Sequence, residues 1–178
     1  MTERRRLLFR FVVFAVLLLL LAGLQTSFWH FLFGYLTPPA LWLSLFIYLM
    51  INRNLVEALF SILILSYLLS VFTSMNPGLL AGLNIVLLFL VRSIKSRLFT
   101  PNSFYYATIA SMGCLVFQLV ELVFSQFFVS VPVVGINWVA WIIQVLMTFV
   151  VSFIIFPLYK SIDYILSDEA KEEWRGLN

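Results

Sequence analysis

The chain has 178 residues, of which 63% are hydrophobic and 11% charged, with a mean hydropathy of +1.06. A soluble domain carries about 25% charged and 45–50% apolar residues, so this composition excludes an ordinary cytosolic globule. The net charge of +3 is small and gathered in short turns, which excludes a nucleic-acid-binding domain; the single cysteine, Cys114, permits no intrachain disulfide and no cysteine-based metal site.

No charge occurs from Phe11 to Asn52 or from Ala58 to Val91, and Glu121 is alone between Leu98 and Tyr159. Uncharged apolar stretches of that length are transmembrane helices. The first span runs from Leu7 to Leu24 behind Arg4, Arg5 and Arg6. A cleaved signal peptide has the same basic start, but no small-x-small site follows, and no cysteine follows Leu21-Ala22-Gly23 as in a lipoprotein. An aromatic-rich stretch, Phe28 to Leu36, precedes Pro38-Pro39; its Trp29, His30 and Tyr35 suit an interfacial belt. The second span, 40–51, stops at Asn52-Arg53-Asn54. The third, 55–73, ends at the turn signal Ser74-Met75-Asn76-Pro77-Gly78. The fourth, 79–91, is closed by a cytoplasmic basic loop, Arg92, Lys95 and Arg97. The fifth, 103–129, is stopped by Pro132 and Gly135, and the sixth covers 138–159. Residues 1–166 thus read as an all-α, six-helix membrane domain and 167–178 as a charged cytoplasmic tail.

All the Lys and Arg residues lie at the N-terminus, after span two, after span four or after span six; segments 25–39, 74–78 and 130–137 have none. The positive-inside rule therefore predicts six spans with both termini in the cytoplasm. Spans two and four are short, about 18 and 20 Å at 1.5 Å per residue, against a hydrocarbon core of about 30 Å. Both follow proline. Such segments mark a midplane cavity in transporters, or they are buried by their neighbours and begin below the surface.

Glu121 is the charge that topology does not explain. Ser111, Cys114, Gln118, Glu121 and Ser125 follow at steps of three and four, which puts them on one helix face. Gln144 on span six and Asn84 on span four are candidates to complete it. Lipid offers no partners, so the face belongs toward protein or a cavity. It serves as interhelical glue, as a contact for a partner's transmembrane helix, or as a ligand or proton site. Glu57, four residues from Arg53, reads as a snorkelling i, i+4 pair. Gly78-x-x-x-Gly82 is a small-residue packing pattern. There is one histidine, His30, and no acid cluster, phosphate-binding loop or Ser–Lys or Ser–His pair inside the membrane. The sequence therefore predicts no enzyme, no cofactor and no metal. From Asp163 to Arg175 the tail carries five acids against Lys171 and Arg175, which is unsuited to anchoring on an anionic leaflet; it reads as a solvated helix end or a docking site for a cytoplasmic partner.

The order of features resembles the rod shape-determining protein MreD family. Pro39-Ala40-Leu41 through Asn52-Arg53 is similar to the family's proline-started second helix and basic turn. Tyr67-Leu68-Leu69-Ser70 before Asn76-Pro77-Gly78-Leu79 resembles its third-helix stretch and Pro/Gly turn. Arg92 to Phe99 resembles its basic loop, Val120-Glu121-Leu122 the acid of its fifth helix, and Phe156-Pro157-Leu158-Tyr159-Lys160 through Asp163 its closing motif. Where many relatives carry Asp in the third helix, this chain has Tyr67 with Ser66 beside it. The resemblance implies a bacterial inner-membrane component of the cell-elongation machinery for peptidoglycan synthesis. It implies association with the bitopic protein MreC and, through it, with the MreB cytoskeleton and the peptidoglycan synthases. It also implies the fold of the S components of energy-coupling-factor transporters, and so an alternative function as a vitamin-binding transporter subunit. The outer segments offer few converging polar groups for such a ligand. Phe28–Tyr35 and Val129–Ile136 read instead as surfaces for another protein.

Overall fold

The computed structural model of the chain describes residues 3–34, 36–73, 75–95, 102–128 and 137–166, the backbone alone for 3–7 and 125–128. All regular structure among the described residues is helical: α1 (Glu3–Gly23), a π-helical turn (Leu24–Phe28), α2 (Trp29–Phe33), α3 (Leu41–Asn52), α4 (Leu55–Leu69), α5 (Pro77–Lys95), α6 (Ser103–Phe128) and α7 (Trp138–Ile165). Among the described residues four rods are long and apolar enough to cross a bilayer: Leu8–Phe33, Pro77–Lys95, Ser103–Phe124 and Trp138–Ile165. The protein is a membrane-embedded, multi-pass helical bundle.

Several boundaries differ from the sequence expectation, each for a local reason. The first span does not end at Leu24. No proline or glycine falls between Gly23 and Gly34, so the helix continues through the π turn, where the Thr26 hydroxyl donates to Ala22 O at 2.9 Å, and stops at Gly34 with φ +58°. Trp29 then ties the exit down, its Nε1 donating to Leu36 O at 2.9 Å. The third span closes early, at Leu69, in a turn where Ser70 Oγ donates to Tyr67 O. The fourth span is not short: it has 19 residues. Pro77 starts it because a first-turn residue needs no N–H, and Arg92 and Lys95 extend it because cations suit a helix C-terminus. The sixth span runs past Pro157 to Ile165. The two short helices are therefore α3, with 12 residues, and α4, with 15.

α3 sits at the centre, touching α1, α4, α5, α6 and α7. Every residue from Leu41 to Ile51 is buried. A helix surrounded by protein does not need to match the bilayer thickness, which agrees with the buried reading of the short second span. Both of its ends are satisfied by other helices. At its N-terminus Ala40 N donates to the Thr148 hydroxyl of α7 at 3.0 Å, and Leu41 N donates to Gln25 Oε1 of the π turn at 3.0 Å. At its C-terminus Lys95 Nζ donates to Ile51 O, and Arg92 donates to Arg53 O just beyond. These are orphan helix-end groups that lipid could not serve.

The described cations cluster at one end of the bundle, called here the basic end. Arg10 donates through Nε and Nη2 to Leu166 O at the close of α7, at 3.2 and 3.0 Å. Arg53 forms an ion pair with Asp163 of α7, and Tyr48 donates to the same carboxylate at 3.1 Å. The expected Arg53–Glu57 pair is thus replaced by one reaching across the bundle. Beneath it Tyr106 donates to Ser44 O, and the hydroxyls of Ser44 and Tyr159 share a hydrogen bond of 3.0 Å. Arg97 and the tail lie outside the described residues.

Candidate functional site

At the end opposite the basic one, a partly open cavity of about 360 Å³ lies between α3, α6, α7 and the α4–α5 connection. α6 supplies Cys114, Phe117, Gln118 and Glu121, and α7 supplies Gln144. The three- and four-residue steps of α6 explain the alignment, since such residues stack on one helix face. α3 contributes Trp42 and Leu43, with Ala40 just before it, while Phe72, Thr73 and Met75 come from the α4–α5 connection. Trp42 meets Phe117 edge to face with ring centroids 5.0 Å apart, forming an aromatic wall.

Two polar stitches join α6 to α7 here. Gln118 Nε2 donates to Gln144 Oε1 at 2.7 Å, and the Thr148 hydroxyl donates to Cys114 Sγ at 3.8 Å while accepting from Ala40 N. The stitches leave acceptors over. Gln118 is 7% exposed, yet its Oε1 has no hydrogen-bond partner, and neither has the Thr73 hydroxyl. Glu121 is half-buried, and no described cation pairs with it. Glu121 and Gln118 Oε1 are thus acceptors that meet no described donor, while the Thr73 hydroxyl can either donate or accept. The physical complement of the two acceptors is a group bringing N–H or O–H.

The structure brings together Cys114, Gln118, Glu121 and Gln144. It does not bring Asn84, which turns to α4 and donates through Nδ2 to Ser66 Oγ at 3.0 Å. Ser111 donates to Thr108 O in its own helix at 2.9 Å. The side chain of Ser125 lies outside the described residues. Gly78 and Gly82 sit on the exposed face of α5, and no neighbouring helix comes within 4 Å of a Cβ built there. The glycine at a close helix approach is Gly113, where a Cβ would meet Ile47 Cδ1 of α3 at 2.6 Å. Arg92 and Lys95 act inside the fold, closing the α3 end. Sequence reasoning missed Trp42, Thr73 and Thr148; Thr73 stands in a turn, and nothing local signals that Thr148 faces α3.

Among the described residues no three of His, Cys, Asp and Glu stand together as a metal site. Fold and cavity define a class, a multi-pass helical membrane protein with a partly polar notch at one end. No protein-family model, no curated protein and no solved structure matches the chain.

Proposed function

We propose that the protein is a non-enzymatic scaffold of the bacterial inner membrane, similar to the MreD family, that binds an MreC-like bitopic protein as part of the cell-elongation machinery. In this reading it has six spans with both termini in the cytoplasm, and it reaches the MreB cytoskeleton and the peptidoglycan synthases through that partner. The observation that carries the proposal is Glu121, with no described cation paired to it and held with Gln118 on the wall of a membrane cavity. A lone intramembrane acid costs a few kcal/mol, and a partner segment bringing a donor offsets that cost.

The test is affinity purification in mild detergent, with identification of what co-purifies. A single-span periplasmic coiled-coil protein is the expected companion, and Glu121→Gln is expected to lower its recovery at least fivefold without lowering expression. Undiminished recovery with Glu121→Gln overturns the role of the acid.

A second reading is favoured by one feature, the cavity volume of about 360 Å³, which lies in the range of small-molecule pockets. It makes the chain a ligand-binding transporter subunit. A tightly bound small molecule, or ATPase subunits in the purified complex, would replace the scaffold reading with this one.

A further inference from the structure

A groove of about 240 Å³ runs between α1 and α4 at the basic end, away from the Glu121 cavity. Both helices start at that end, so position along them gives depth. Arg10, Arg53 and Glu57 line the groove near its start, and Phe14, Phe60 and Leu65 line it further in. From Glu57 to Leu65 the axial rise is about 12 Å. The neighbours Leu8, Val56 and Phe60 are exposed and apolar, so the solvent at this groove is lipid.

The charged groups are only partly used within the protein. A guanidinium has five N–H donors. The hydrogen bonds of Arg10 to Leu166 O engage Nε and Nη2, and the ion pair of Arg53 with Asp163 engages Nη2. Glu57 lost its local partner when Arg53 turned to Asp163, and no other described cation pairs with it. One wall therefore presents guanidinium N–H groups beside a carboxylate, above an apolar channel.

We infer that this groove binds a phospholipid with a primary-ammonium headgroup. The phosphate accepts from Arg10 and Arg53, the ammonium donates to Glu57, and an acyl chain lies against the accessible Phe11, Val56 and Phe60, with Phe14 and Leu65 buried behind them. The chemistry discriminates among headgroups. An anionic glycerol headgroup satisfies the arginines but gives Glu57 no cation. A choline headgroup carries the cation but has no N–H to donate.

The test titrates delipidated protein in detergent with phosphatidylethanolamine, phosphatidylcholine and phosphatidylglycerol, reading lipid adducts by native mass spectrometry. Ethanolamine adducts are expected at fivefold or more lower lipid concentration than the other two. Glu57→Gln is expected to remove that preference while leaving lipid binding, and Arg10→Gln to weaken all three. Equal binding of ethanolamine and choline lipids, a preference for the glycerol lipid, or an ethanolamine preference that survives Glu57→Gln overturns the assignment. Lipid extracted from protein purified out of cells gives a second measure, with a lower ethanolamine-to-glycerol ratio expected for Glu57→Gln. An unchanged ratio overturns it equally.

Discussion

Arg53 joins the ends of several helices through one residue. Its side chain pairs with Asp163 of α7, its guanidinium carbon lies 5.7 Å from the ring centre of Phe14 of α1, and its carbonyl accepts from Arg92 of α5. The ion pair is half-buried, where removing one member leaves the other poorly solvated. Asp163→Asn is therefore expected to cost about 1–3 kcal/mol, measured as unfolding in mild detergent with added denaturant. Glu57→Gln, four residues from the same arginine, is expected to stay within about 0.5 kcal/mol. Equal effects would restore the local pair. The charge positions in the sequence marked this end of the protein correctly, but not its partners. Within one helix the nearest acid to Arg53 is Glu57, whereas Asp163 is 110 residues away and becomes a neighbour only after α7 docks on α3.

At the scale of elements, long apolar runs were legible because hydropathy alone decides them, and the starts of α6 and α7 fall where expected. Short helices were harder to assign. Leu79–Val91 looks short if charges end a span, yet Arg92 and Lys95 extend α5 because α3 offers them carbonyls. Close packing was also misplaced. The Gly78–Gly82 spacing suggested contact on α5, but the tight approach is at Gly113 of α6, on a different side of that helix from its polar face and against Ile47 and Leu87. Association in lipid depends on van der Waals fit and interhelical hydrogen bonds rather than on apolar burial. A methyl at 113 forces the buried Ile47 aside, so Gly113→Ala is expected to destabilise by about 1–3 kcal/mol. Ile47→Val removes the clashing Cδ1 and is expected to restore most of that loss in the double variant. Gly82→Ala, on the exposed face, is expected to be neutral or stabilising by about 0.4–1 kcal/mol. Detergent unfolding curves for the wild type and the four variants check all three, and additive losses in the double variant would place the strain elsewhere.

For the whole molecule, the proposed orientation sets the basic end in the cytoplasm. The sole cysteine is buried, so a Cys114→Ala background supports single-cysteine labelling. Asn76→Cys, between α4 and α5, is expected to react in intact cells with a membrane-impermeant maleimide. Asn102→Cys, beside the start of α6, is expected to react only after permeabilisation. The reverse pattern overturns the orientation, and labelling of both from one side removes α5 as a span. The central position of α3 also bears on how the chain enters the membrane. With 12 residues it is below the length that partitions stably on its own, and its amide and carbonyl ends wait for Thr148 and Lys95, made 108 and 44 residues later. During synthesis α3 is an unfinished span, held by α1 and α4 until α5 and α7 arrive. Its insertion and its tertiary packing are therefore expected to finish together, once α7 has left the ribosome.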